Sequence, residues 1–137
     1  MKTMRAAAIL ENLHQFQTFI LQQAKESGLA AEVTTKLELV LEELVINVIN
    51  YAYHHGTGDL EVESFRLKTA DQQRFCVILR DWGVAFNPLE CSAPVAGLQI
   101  EECPIGGLGV SIVQQMTNSL SYERDGNCNV LTVGFDF

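Results

Sequence analysis

The sequence predicts an α+β fold, a two-layer α/β sandwich with helices on one face of a mixed, mostly antiparallel sheet. Three observations carry that expectation. Two stretches of helical periodicity come first, alternating strand patterns follow, and a helix that begins on glycines precedes a closing hairpin; such an order of elements places helices against a sheet. The chain has 137 residues, of which 47% are hydrophobic and 19% charged, enough for one core and too little for two domains. No internal repeat or low-complexity tract divides it, so residues 1–137 read as a single domain.

Met1 to Ile9, with Met4, three alanines and Ile9, gives a weak strand signal for a sheet edge. From about Leu10 to Ser27, the spacing of Leu13, Phe16, Ile20 and Ala24 marks one apolar stripe of an amphipathic helix, and Gly28 is placed to end it. A second helix spans roughly Ala31 to Tyr53, on the order of 35 Å long. It stops where His54, His55, Gly56 and Gly58 interrupt the pattern, the histidines marking a solvated helix end. Leu60 and Val62 then alternate with Glu61 and Glu63, as in a strand with one wet face, and Phe65 and Leu67 continue it on a shifted phase. Arg74 to Arg80, RFCVILR, is apolar on both faces and suits the middle of a sheet. Residues 82–105 carry Pro88, Pro94 and Pro104 without sustained periodicity and read as a long loop, of the kind that is usually either functional or disordered. Gly106 to Gly109 leads into the helix of Val110, Ile112, Val113 and Met116. Leu120–Arg124 and Val130–Phe137 flank Asp125-Gly126-Asn127, a hairpin signal, with Leu131, Val133 and Phe135 on the buried face.

The second helix carries an oddly placed polar stripe. At about 100° per residue, Glu43, Asn47 and Asn50 fall in one narrow sector, extended by Lys36 and His54. Val40 and Leu44 flank it on one side, Ile46 and Tyr53 on the other, while Leu41, Val45, Val48 and Ala52 cover the opposite face and Glu38 and Glu42 can face water. A carboxylate and an amide between apolar shoulders call for a polar ligand or metal, although the stripe by itself is also what a partly wet helix edge looks like.

Charge and cysteine usage narrow the function classes. The formal charge of −8 argues against a general nucleic-acid binder and is compatible with protein partners. No apolar run approaches membrane-spanning length and the N-terminus lacks a signal-peptide core, so a cytoplasmic protein is expected. The four cysteines form no CxxC pair and no metal-ligand spacing with histidine; Cys76 reads as a buried small hydrophobe, and Cys91 and Cys103, flanking the long loop, as reduced thiols.

Three short motifs follow one another: Glu43-x-x-x-Asn47, then Asp81-Trp82-Gly83-Val84-Ala85-Phe86, then Gly106-Gly107-Leu108-Gly109. Alone, they would be a helix edge, a turn after a strand and a flexible helix start. In this order, with LEELVINVINYAY as an N box and PIGGLGVSIVQQMTNSLSYERDGNCNVLTV as a glycine box and hairpin, the chain resembles the ATP-binding domain of the GHKL superfamily, shared by gyrase, heat-shock chaperone, histidine kinase and mismatch-repair proteins. Within it, the chain most resembles the stand-alone anti-sigma-factor serine kinases of bacterial partner-switching pathways. A dinucleotide fingerprint fails for want of a third glycine, no P-loop pattern exists, and Ser111 lies in no nucleophile elbow.

The resemblance implies ATP and Mg2+ as cofactors and a serine/threonine-protein kinase that phosphorylates an anti-sigma-factor antagonist protein and sequesters a sigma factor, with a homodimer among its assemblies. It makes Glu43 the catalytic base and Asn47 the magnesium ligand, a neutral oxygen suited to an ion that keeps waters and phosphate oxygens. Asp81 would accept the adenine amine, Gly83 let backbone pass close to the base, and Gly106, Gly107, Leu108 and Gly109 offer N–H groups to phosphate at a helix start. Asn50 and Tyr51 stand where many relatives carry a basic residue after the N-box asparagine, and Ala85 replaces the second glycine of the aspartate box. Residues 84–105 would form an ATP lid, yet no Lys or Arg occurs between Arg80 and Arg124. Magnesium and backbone amides, or an arginine from a partner, would then stabilise the transferring phosphoryl group. The competing reading is a non-catalytic module that uses nucleotide as a conformational latch. A sensor-kinase domain acting on histidine fits less well, since no phosphoacceptor domain is present and His14 does not replace one.

Overall fold

A computed structural model describes residues 2–53, 56–87 and 107–137, the side chains of 107–110 excepted. The order is β1 (Lys2–Ala7), a 3-10 turn (Leu10–Asn12), α1 (Leu13–Glu26), α2 (Ala31–Tyr51), β2 (Asp59–Lys68), β3 (Gln73–Asp81), α3 (Gly107–Met116), β4 (Ser119–Asp125) and β5 (Cys128–Asp136). The strands form one five-stranded sheet in the order β1-β2-β3-β5-β4. All four pairings are antiparallel, so the mixed component expected from the sequence is absent among the described residues. β2–β3 and β4–β5 are joined by short turns, which pair consecutive strands antiparallel without a crossover.

The two-residue periodicity of the strands puts Leu60, Val62, Phe75, Val77, Leu79, Val133 and Phe135 on one face, where they meet Phe16, Ile20, Leu37, Val40, Leu41, Leu44 and Val45 of α1 and α2 in a single core. β3 lies third of five, which accounts for its apolar residues on both faces; Cys76 is buried as expected. The shifted phase of β2 is no register break. Phe65 and Leu67 lie on the outer face, and Ser64 takes the inner position, where its hydroxyl donates to Gln23 of α1 in a short hydrogen bond. On the outer face Arg80 pairs with Glu63 at 2.8 Å and Glu61 at 3.5 Å, so the buried Glu63 carboxylate is compensated.

Element ends follow their residues. Gly28, at φ +86°, closes α1 through Gly28 N–H to the Lys25 carbonyl and Leu29 N–H to that of Ala24, with Leu29 buried behind it. The β4–β5 turn contains Gly126 at φ +61° and no positive φ at Asn127, the pattern of a type II′ hairpin. Helix α2 stops at Tyr51, two residues earlier than its periodicity suggests, because Ala52 and Tyr53 are drawn into contacts with the chain after β3.

Candidate functional site

Register brings the site together. Leu60, Asp81, Asn129 and Arg124 are successive neighbours across β2, β3, β5 and β4, so a row that is buried from Leu60 to Asn129 carries a carboxylate and an amide and ends in an exposed guanidinium. Asp81 and Asn129 are both at most 8% exposed. Below them, a pocket of about 50 Å3 opens between the end of α2 and the sheet. Leu44, Asn47, Val48, Tyr51 and Ala52 line it from α2, and Leu79, Asp81, Leu131, Asn129 and Tyr122 from the sheet; Val84 and Phe86 complete it.

The helical part of that wall follows an i, i+3, i+4, i+7, i+8 pattern. On a helical wheel Asn47 stands at its rim, while Glu43 and Asn50 lie about 40° and 60° beyond it. Among the described residues of the polar stripe, only Asn47 therefore lines the pocket. Glu43 is half-buried, one turn away, with no hydrogen bond among the described residues; Asn50 is exposed and Tyr51 occupies the wall in its stead. Lys36 is exposed, as Glu38 and Glu42 are.

Asp81 accepts two hydrogen bonds on one oxygen, Oδ1: from Gly83 N–H at 3.0 Å and from the Asn129 amide at 2.9 Å. Its Oδ2 carries no hydrogen bond among the described residues. Burial pushes the Asp81 carboxyl up, opposed by the Asn129 and Gly83 hydrogen bonds and by the Arg124 charge. A carboxylate with one committed and one open oxygen, among Leu44, Leu79, Leu131 and Phe86, is an acceptor for the amine edge of a flat, mostly apolar ligand such as a purine.

The turn after β3 is tied on both sides. Toward α2, Trp82 N–H donates to the Tyr53 hydroxyl at 2.9 Å, that hydroxyl donates to the Asp59 carbonyl at 2.5 Å, and Val84 N–H donates to the Ala52 carbonyl at 3.0 Å. Burial, and the nearby Asp81 and Asp59 charges, raise the Tyr53 phenol, against the Trp82 hydrogen bond. Gly83 is needed for this docking: a Cβ there would stand 2.1 Å from the Ala52 carbonyl oxygen. Its tight neighbour is thus the end of α2, and Gly83 and the exposed Ala85 are off the pocket wall. Toward β5, the Asn129 amide donates to the Val84 carbonyl at 2.7 Å and its oxygen accepts from Phe86 N–H at 3.3 Å. Arg5 stacks over the outer Trp82 ring at 4.1 Å and pairs with Asp59.

Of the glycine motif, Gly107, Leu108 and Gly109 form the first turn of α3, a helix beginning on glycines as expected; Gly106 lies outside the described residues. So do 88–105 of the expected lid, with Cys91 and Cys103, and His54 and His55. Sequence reasoning missed Asn129, Tyr122 and Arg124. A signal for Asn129 was available: it shares the two-residue phase of Leu131, Val133 and Phe135 and is the polar member of a buried row. Nothing comparable marks Tyr53, whose role depends on the Trp82 backbone.

No helix among the described residues is long and apolar enough to cross a membrane, and none of them form a cluster of three His, Cys, Asp or Glu able to hold a metal. A search of curated proteins finds no match. The model of the histidine kinase-like ATPase domain matches residues 6–135. Reaching almost from end to end of a chain whose helix-backed sheet and pocket have the expected form, that match shows that the protein belongs to the histidine kinase-like ATPase domain family and is an ATP-binding domain of that kind.

Proposed function

We propose that this protein is an ATP-dependent serine/threonine-protein kinase and anti-sigma regulatory factor of a partner-switching pathway, with an anti-sigma-factor antagonist as phosphoacceptor and a sigma factor as its alternative partner. The observation that supports it is the placement of Asn47 and Asp81 on one pocket, with Glu43 one helical turn outside the rim. The open oxygen of Asp81 accepts the adenine amine, and the apolar wall receives the ring. The carboxamide oxygen of Asn47 would hold Mg2+, an ion that needs few protein ligands, which suits a site without a carboxylate cluster among the described residues. N–H groups of Gly107, Leu108 and Gly109, in the first turn of α3, are the donors offered to phosphate.

ATP, when bound, supplies the phosphoryl group, and magnesium the charge that neutralises it. Glu43 accepts the proton of the incoming hydroxyl: half-buried and without a hydrogen bond among the described residues, it is free to do so from outside the pocket. The acidic surface implied by a formal charge of −8 suits partners with basic patches. A homodimer through β1, an open edge of the sheet, belongs to the same proposal.

One observation favours a second reading, a non-catalytic latch in which nucleotide only fixes the conformation that binds a partner. No Lys or Arg occurs between Arg80 and Arg124, and Arg124 is engaged with the Gly83 carbonyl at 2.9 Å and with Asn129. Transfer of labelled phosphate from ATP to a serine of a small antagonist protein separates the two. Kinase activity predicts transfer that Glu43→Ala loses while it still binds nucleotide; binding by the wild type without any transfer supports the latch.

A further inference from the structure

Asn129 is the most connected polar side chain among the described residues, and no role for it follows from the motifs. We propose that it is a positioning residue that determines adenine selectivity: its amide fixes which Asp81 oxygen faces the base and couples that carboxylate to the chain leaving the pocket. The inference rests on the reading of the pocket as the adenine site.

Both N–H groups of the Asn129 amide are used, on Asp81 Oδ1 at 2.9 Å and the Val84 carbonyl at 2.7 Å. Its oxygen accepts from Tyr122 Oη at 2.5 Å, Arg124 at 3.1 Å and Phe86 N–H at 3.3 Å. The two acceptors on one side and three donors on the other admit only one orientation of the amide. With Asn129 and Gly83 N–H both on Oδ1, the unshared Oδ2 is the acceptor left for an exocyclic amine, and it has to be ionised to reject a 6-oxo purine edge on grounds of acceptor against acceptor. Burial opposes that ionisation; the Asn129 hydrogen bond favours it. The other titratable groups whose charge acts on Asp81 are Arg124 from β4, which also favours the charge, Cys128 from β5 and Tyr53 from the segment after α2, and burial raises the thiol and phenol, so neither charges on the acid side.

The test is equilibrium binding of ATP and of ITP, whose base has an oxygen in place of the amine, as a function of pH. Asn129→Leu keeps the size of the side chain and removes both donors; Asn129→Thr restores one hydroxyl donor suited to a strand. The wild type should prefer ATP, with affinity lost as Asp81 protonates on acidification. Asn129→Leu should lower the ATP preference by about tenfold or more, the worth of a hydrogen bond to a charged group, and move the acid limb to higher pH. Asn129→Thr should fall between, and it alone decides if the leucine variant does not fold. Titration of the nucleotide is common to all three proteins and cancels. Wild-type selectivity and acid limb in both folded variants overturn the assignment of Asn129 while leaving the adenine site standing. Failure of the wild type to bind ATP overturns both.

Discussion

Gly83→Ala asks the most of the smallest change. Gly83 has no positive φ, so the backbone itself would accept alanine. The obstacle is space: the new methyl would lie 2.1 Å from the Ala52 carbonyl oxygen, 2.5 Å from its carbon and 2.7 Å from its Cβ, against a contact distance above 3 Å. Two of those atoms are backbone at the end of α2 and cannot rotate away, so the turn must lift. Lifting it breaks the Val84–Ala52 hydrogen bond, worth about 1 kcal/mol, and stretches that from Gly83 N–H to the Asp81 carboxylate, worth about 1.5–3 kcal/mol. Overpacking alone costs about 1–3 kcal/mol, and since lifting relieves the clash these losses are alternatives more than a sum. We expect a destabilisation of about 2–3 kcal/mol, or roughly 10 °C in Tm for a chain this size. Urea unfolding followed by fluorescence of Trp82, the single tryptophan, which adjoins the substituted residue, measures it. ATP affinity should fall as well, because the Asp81 carboxylate loses a donor. A variant within about 0.5 kcal/mol of wild type, the spread of ordinary surface substitutions, with unchanged affinity, refutes the claim that the turn is docked on α2.

Asp81→Asn preserves the shape and both hydrogen bonds accepted by Oδ1. The folded-state pKa of Asp81 is raised, so the folded protein holds this proton more tightly than the unfolded chain, and its contribution to stability declines as pH rises from the usual carboxylate range through the raised value. Asp81→Asn should therefore unfold at a temperature equal to or above that of the wild type at neutral pH, lose that advantage in acid, and fail to select adenine; calorimetry at two pH values with nucleotide titrations checks all three. Tyr53→Phe leaves Trp82 N–H and the Asp59 carbonyl without their hydroxyl partner. A loss of about 1–3 kcal/mol in urea unfolding is expected, with a shift in Trp82 emission as the turn loosens.

Much of the fold was legible because period and punctuation agree with burial. Phe16, Ile20 and Ala24 face the core at helical spacing, Gly28 ends α1 at positive φ, and RFCVILR fills the central strand. The site was legible as a set of residue types but not as a wall. Glu43, Asn47 and Asn50 share a sector on the helix, yet the sheet meets α2 on one side of that sector, so only Asn47 reaches the pocket, and no sequence period reports which side a helix turns to its neighbour. Asn129 and Arg124 join Asp81 through strand register, a relation between residues 48 and 43 positions apart that local patterns do not encode. Gly83 was picked out as a close-approach glycine, and the approach is to Ala52.

Thermal unfolding with and without Mg2+ and ATP tests the central claim most directly, that Asp81 and Asn47 line one nucleotide pocket. At a nucleotide concentration of about 100 times Kd the wild type should gain about 2.7 kcal/mol, a rise in Tm of roughly 10 °C. Asn47→Ala should forfeit the magnesium-dependent part of that gain, and Asp81→Asn, with an amide N–H in place of the open Oδ2 acceptor, should no longer favour ATP over ITP. No stabilisation of the wild type by magnesium and ATP, or equal stabilisation of Asn47→Ala and the wild type, contradicts the site.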